Sequence, residues 1–211
     1  MKKFIIKSAA LCMLLMCGAN ANAQSLSDIL GTVVSNSTSN SSSNIISSLT
    51  SVFSSSKQAS ESSIVGTWEY SEPAIVFQSD NLLAKAGSSL VAKKLESKLQ
   101  TQLSKYGIKA GTLKMTFNED GTFTETLGKK TMSGKWSVSN SKLYITYLGV
   151  KKIEITTQLS GNKLQFVTNA SKLLTLLKSM GNASSNTNIK TITSLMNSVK
   201  GLQAGITLVK K

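Results

Sequence analysis

"TLKMTFNEDGTFTETL", Thr112 to Leu127, decides the fold. Leu113, Met115 and Phe117 alternate with polar neighbours, and after a break Phe123, Glu125 and Leu127 alternate with threonines. A period of two belongs to a strand with one face in a core and the other in water. Between the runs stands "NEDG", whose Asp120-Gly121 pair favours a tight hairpin turn. The same grammar continues downstream. "TMSGKWSV" puts Met132, Trp136 and Val138 on one face, Asn140-Ser141 turns the chain, and "KLYITY" returns with Leu143, Ile145 and Tyr147. Ile153, Ile155 and Leu159 repeat the pattern, and Gly161-Asn162 leads into "KLQFV". Six strands are thus predicted between Thr112 and Thr168. Trp68 to Phe77 adds one before them, bent or ended near Pro73, and "LQAGITLVK" adds one after. Turns recurring every ~8–12 residues predict an antiparallel meander that closes as a barrel or sandwich.

Helical spacing fills the two gaps. Leu83, Leu90, Val91, Leu95, Leu99 and Leu103 form an apolar stripe between Asn81 and Tyr106, broken near Gly87-Ser88, with Lys93, Lys94, Glu96, Lys98 and Lys105 on the other face. Asn169 is placed to cap a helix through Leu173, Leu174, Leu177 and Met180, ended by Gly181. A further helix through Ile189, Ile192, Met196 and Val199 stops at Gly201. The predicted class is mostly β with α insertions: an eight-stranded antiparallel barrel whose amphipathic helices cover it.

The chain opens differently. Met1-Lys2-Lys3 and Lys7 are basic, Ser8 to Cys17 is a short apolar core, and Ala21-Asn22-Ala23 offers small residues. This is the layout of a secretory signal peptide, too short to span a bilayer, with cleavage expected between Ala23 and Gln24. The rival reading, lipidation at Cys17, is disfavoured by the bulky Met16 before it. Both cysteines, Cys12 and Cys17, lie within residues 1–23, so no disulfide is expected in the mature chain. Export to the periplasm or cell surface follows as the expected localisation. Residues 24–63 hold 17 serines and form the expected flexible segment. Two islands in it follow helical spacing: Leu26, Ile29, Leu30 and Val33, then Ile45, Ile46, Leu49, Val52 and Phe53. The globular domain is expected over 64–211.

At the head of that domain stands "VGTWEY", with Gly66 and Trp68 opening the first predicted strand. A Gly-Xaa-Trp leading eight meandering strands resembles the lipocalin-like proteins. "GTWEYSEPAIVF", the long helix after it and "FNEDGTFTE" are together similar to a family of exported, uncharacterised lipocalin-like proteins of Bacteroides-type bacteria. The resemblance covers Ile64 to Lys211 and implies no known activity. It implies an arginine from the last strand over Trp68; this chain has none, and Lys210 is the partial substitute.

Composition excludes more than it assigns. Without histidine there is no Ser-His-Asp arrangement and no histidine-based zinc site. No glycine-rich phosphate loop is present, and Glu119-Asp120 reads as a turn. Removing Lys2, Lys3 and Lys7 lowers the formal charge from +14 to +11, carried by lysine alone. Lysine lacks the planar fork that reads phosphate and guanine, so nucleic acid is not an expected partner. Contact of the lysine-faced helix with a membrane surface is outweighed by packing of its stripe on the barrel. Tyr70, Met115, Phe117, Phe123, Met132, Trp136 and Tyr147 are predicted to face inward, as a ligand cavity or simply as core. Glu125 shares their parity. An inward acid needs a donor, water or ligand; a wet barrel end or a bulge turning it outward is the preferred alternative, because buried acids are uncommon. Glu72 shares parity with Trp68 and Tyr70, but Pro73 interrupts that register.

The expected protein is a monomer without cofactor, binding a small hydrophobic or amphipathic molecule and performing no catalysis. The alternative is an envelope protein that engages a protein partner, with a filled barrel. A carboxylate-based hydrolase stands third.

Overall fold

The computed structural model describes residues 50–78, 89–147, 152–169, 172–173, 187–197 and 201–211. The expected signal peptide with its Ala23–Gln24 junction, the first apolar island, Leu83, Leu177, Met180 and Val199 lie outside these residues.

Among the described residues, nine strands form one sheet. They are β1 (Thr50–Val52), β2 (Gly66–Phe77), β3 (Leu113–Phe117), β4 (Thr122–Leu127), β5 (Lys130–Ser139), β6 (Lys142–Tyr147), β7 (Ile153–Ser160), β8 (Lys163–Asn169) and β9 (Leu202–Lys210). From β2 to β9 each strand pairs antiparallel with the next, and β9 returns to pair with β2, so the sheet closes on itself. The turns are those the sequence calls for. Asn140 and Ser141 both adopt left-handed backbone, at φ 49° and 59°, which is what a two-residue hairpin between Ser139 and Lys142 demands.

The eight-strand, all-antiparallel expectation needs a correction at β1. Thr50–Val52 pairs in parallel with Ile75–Phe77, on the part of the β2 edge beyond its pairing with β3, which takes only Gly66–Glu69. The helical spacing read through Val52 and Phe53 is therefore overridden by an available strand edge; Ile45, Ile46 and Leu49 lie outside the described residues. After β1 the chain passes through a 3-10 turn at Ser55–Lys57 and a single helical turn, α1 (Glu61–Ile64), capped by the Ser60 hydroxyl. Polar groups tie this segment down: Ser51 Oγ donates to Gln165 Oε1 at 3.1 Å, Ser54 N to Gln158 Oε1 at 2.7 Å, and Ala59 N to Thr157 Oγ1 at 3.0 Å.

The irregularity foreseen near Pro73 is a bulge at Ser71. Tyr70 opposes Leu208 and Glu72 opposes Thr207, so Ser71 has no partner across the ladder. The extra residue inverts parity. Trp68 and Tyr70 point into the ring, then Ile75 and Phe77 do, while Glu72 turns outward and pairs with Lys163 at 3.0 Å.

Among the described residues, two longer helices lie between strands in the chain order. α2 (Ser89–Lys105) and α3 (Thr187–Asn197) pack on each other, and α2 also packs on β2. Leu95, Leu99 and Leu103 of α2 and Ile192 and Leu195 of α3 enter the same continuous core as the strand residues. Helical spacing on one face is thus explained by packing on the barrel. Of the helix foreseen after Asn169, Lys172 and Leu173 are helical and described; Asn169 itself ends β8. The turn after α2 enters β3 beside the β4–β5 hairpin, where Gly128 N donates to Thr112 O at 3.0 Å. This helix-bearing end of the ring lies opposite the end with the β3–β4, β5–β6 and β7–β8 turns.

Candidate functional site

The ring encloses a lumen, and its lining follows from register. Trp68, Met115, Glu125 and Met132 oppose one another in sequence across β2 to β5, so a single row crosses four strands. Phe117 opposes Phe123, Gly134 stands between Phe123 and Tyr147, and Trp136 opposes Ile145. All the residues predicted to face inward do so. Tyr70, Met115, Phe117, Phe123, Trp136 and Tyr147 are buried, and Met132 is half-buried at the margin of the core.

These side chains pack on one another. Phe117 of β3 stacks on Phe123 at 5.8 Å between ring centroids, and meets Trp136 edge-on at 5.4 Å and Phe166 of β8 at 6.2 Å. Strands far apart in the sheet order are thus bridged by one ring. Phe123 in turn meets Tyr147 at 5.1 Å. Such offset and edge-on pairs are the favoured aromatic geometries. Gly134 makes room for them: a Cβ there would lie 2.6 Å from Phe123 Cε1 and 2.3 Å from Thr146 O. Met115, Phe117, Phe123 and Leu113 are 0–1 % exposed.

Glu125 corrects the preferred reading of the sequence. No bulge or wet barrel end turns it outward; it is 1 % exposed, inside the lumen. Its partner is Tyr147, whose hydroxyl donates to Glu125 Oε2. A carboxyl group surrounded by apolar side chains needs such a donor. Tyr70 sits by the helices, its hydroxyl donating to Gln100 Oε1 at 2.9 Å. Burial pushes the Tyr70 phenol above its ordinary value, and the nearby Glu72 carboxylate adds to this, while the Gln100 bond opposes it.

At the opposite end, Trp68 is held on three sides. Its indole N–H donates to Ile64 O at 2.7 Å, it is 1 % exposed, and Lys210 Nζ lies 5.3 Å above the ring. Lysine therefore stands where the resemblance implies arginine. Gly66, at φ 123°, lets this happen: a Cβ would press on Lys210 Cε at 3.1 Å.

Sequence reasoning missed a second polar set, on the outer side of the ring. Gln158, Gln165 and Thr207 oppose one another across β7, β8 and β9, and Gln158 and Thr207 are buried. Glutamines in "ITTQLS" and "KLQFV" read as water-facing, but Ser51 and Ser54 hydrogen-bond to them. Among the described residues, no group of three or more acidic, histidine or cysteine side chains is placed to hold a metal ion. Glu119 and Asp120 are exposed in the turn, and the Thr122 hydroxyl and N–H hold the Asp120 carboxyl below its ordinary value.

A family model described as a lipocalin-like domain, DUF4923, matches residues 34–210. The chain is also similar to a DUF4847 family protein of known crystal structure from Bacteroides vulgatus. The two are 17 % identical, over 52 % of this chain and 88 % of that one, with a TM-score of 0.32. No curated protein matches the chain.

Proposed function

Given that the chain belongs to the lipocalin-like DUF4923 family, we propose that it is an exported, non-enzymatic protein that works through its outer surface, its barrel filled by its own side chains. The observation that carries this is the Phe117 cluster, which ties β3 to β4, β5 and β8 across the lumen. An eight-stranded ring is only wide enough to be filled or to hold one small ligand, and here rings take up that width. The basic start, short apolar core and Ala21-Asn22-Ala23 support export. The lack of histidine throughout the sequence supports a role without catalysis. Native mass spectrometry of protein purified from its own host tests this, before and after solvent extraction. The bare chain mass is expected in both; a stoichiometric apolar compound removed by solvent would refute a filled interior.

One observation favours a second reading, in which a small amphipathic molecule is carried. Glu125 and Tyr147 form a polar pair inside an otherwise apolar lumen, as in a small-molecule site with few polar groups. In that case Glu125→Gln lowers the affinity for the extracted compound; unchanged affinity removes Glu125 from the site.

A further inference from the structure

Residues 50–54 occupy a seat built like one for an extended peptide. β1 runs in register along β2, with Thr50 to Val52 opposite Ile75 to Phe77, and Phe53 N donates to Phe77 O at 2.7 Å. Two amides from other strands grip the same stretch. Gln158 of β7 accepts from Ser54 N through Oε1 at 2.7 Å and aims Nε2 at Ser51 Oγ and Val52 O, 3.4 and 3.5 Å away. Its amide thus meets a backbone N–H and a backbone C=O two residues apart, as a neighbouring parallel strand does. Gln165 of β8 accepts from the Ser51 hydroxyl at 3.1 Å. Apolar contact comes from Phe53, which packs on Ala74 and Val76 of β2 and Val167 of β8, a cluster separate from the main core. Gly205 of β9 opposes both Ala74 and Val167, and with no side chain there the two flanks meet in one cluster; a Cβ would run into the Phe166 carbonyl.

The occupant hangs on an exposed joint. After Ser54 the chain makes the 3-10 turn Ser55–Lys57, exposed throughout. From Ala59 it is anchored again: Ala59 N donates to Thr157 Oγ1, and Ile64 lies in the core. Straightening the turn lengthens it from about 2.0 to about 3.3 Å per residue, which carries the segment out of its seat without disturbing Ala59 or Ile64.

We propose that this seat is an extended-peptide site whose partner in trans is the same segment of a second copy, so that two chains associate by exchanging residues 50–54. Such exchange rests on surface action as proposed above, for which it supplies the partner. A strand added to a sheet edge is held by its main chain, and pockets for its side chains decide which strand is taken. Here the demands are a hydroxyl for Gln165 and an aromatic ring for the cluster of Ala74, Val76 and Val167. A serine followed two residues later by phenylalanine occurs once in the sequence, at Ser51 and Phe53. A second copy brings that segment and offers an identical seat in return, which closes the pair symmetrically. The monomer expected from the sequence is then the closed form, its seat filled by its own chain.

The test keeps the full chain and uses a dye-labelled synthetic peptide of residues 50–56 as the probe. Phe53→Asp is expected to vacate the seat. This variant should bind the peptide at least about tenfold more tightly than the native chain, whose own segment competes at roughly millimolar effective concentration. Adding Gln158→Ala to Phe53→Asp should weaken the peptide about tenfold, through loss of the amide that meets its backbone. A scrambled peptide should not bind. If Phe53→Asp fails to fold, Ser54→Pro vacates the seat instead, because proline has no N–H for Gln158. Exchange between chains is read by native mass spectrometry of a mixture. One component is Phe53→Asp, with a sound seat and no donor; the other is Gln158→Ala/Gln165→Ala, with a sound donor and a poor seat. A heterodimer more abundant than either homodimer is expected. Equal peptide binding by native and vacated chains would overturn the proposal, as would no peptide binding, equal binding of the scrambled peptide, or absence of the heterodimer. Each of these leaves a filled, surface-acting barrel intact, whereas an extractable apolar compound would overturn that reading with the peptide and mixing results unchanged.

Discussion

If the lumen is packed rather than open, removing its central ring must be costly. Phe117 is 1 % exposed and touches three other rings. Burying a phenylalanine and then deleting it to alanine costs roughly 3–5 kcal/mol, because the walls collapse only partly into the cavity. Each favourable ring pair is worth about 0.5–1.5 kcal/mol beyond its buried area. Phe117→Ala should therefore fall in the upper part of the range, about 4–5 kcal/mol. Phe117→Leu keeps most apolar volume and loses the ring geometry, so about 1–3 kcal/mol is expected. Urea unfolding is the assay: the midpoint should drop with the slope unchanged. A second readout is sharper. A dry apolar cavity of this origin binds xenon or benzene, so Phe117→Ala should gain a site that the native chain lacks. A loss under about 1 kcal/mol for Phe117→Ala, or benzene bound equally by the native chain, would refute the packed lumen.

Other perturbations probe other parts of the fold. Trp68→Ala should cost about 3–5 kcal/mol and release Lys210 and the Ile64 carbonyl; an unchanged melting temperature would mean that Trp68 does not anchor the ring. Gly134→Ala is expected to destabilise by at least about 1–3 kcal/mol, since its Cβ would collide with Phe123 and the Thr146 carbonyl, and an unchanged urea midpoint would refute that close approach. Tyr70 holds its proton more tightly folded than unfolded, so its contribution is complete below its ordinary pKa of 10.0 and is lost as pH rises through and beyond it. Tyr70→Phe should flatten that part of the stability–pH profile, and an identical alkaline slope would refute the assignment. Limited proteolysis should leave a core beginning ahead of Thr50, because β1 belongs to the sheet; a core starting at Ile64 would show that β1 is dispensable.

Most of the sheet was legible because period-two alternation and turn chemistry agree from Thr112 onward. Seven strands after β2 lie where alternation and turns placed them, down to the Asn140-Ser141 turn. Two local features were not. A three-residue strand such as β1 has too few positions to establish a period, and its pairing depends on an edge left free by β3. The Ser71 bulge was legible only as a disturbance at Pro73, so the outward swing of Glu72 waited for the register. At the candidate site, Tyr70, Met115, Phe117, Phe123, Trp136 and Tyr147 are buried in the core, as their alternation suggested. For Glu125 the statistical rarity of buried acids was allowed to outweigh parity, and parity prevailed because Tyr147, reachable only in three dimensions, satisfies the carboxyl group. What the sequence did not carry was whether inward aromatics surround a space or close it. That depends on distances such as those around Phe117.

The closing of the ring by β2 against β9 also bears on how the molecule comes to be made. Leu202–Lys210 is made after the eight other strands, yet both β2 and β8 need it as a neighbour. Until it arrives, a nascent chain carries two bare sheet margins, and the contact that seals them spans most of the domain. Such distant pairing makes for slow folding. Meanwhile the open margins are templates for joining another copy. A chain cut just before Leu202, and so lacking β9, is therefore expected to yield aggregates rather than a slightly smaller barrel.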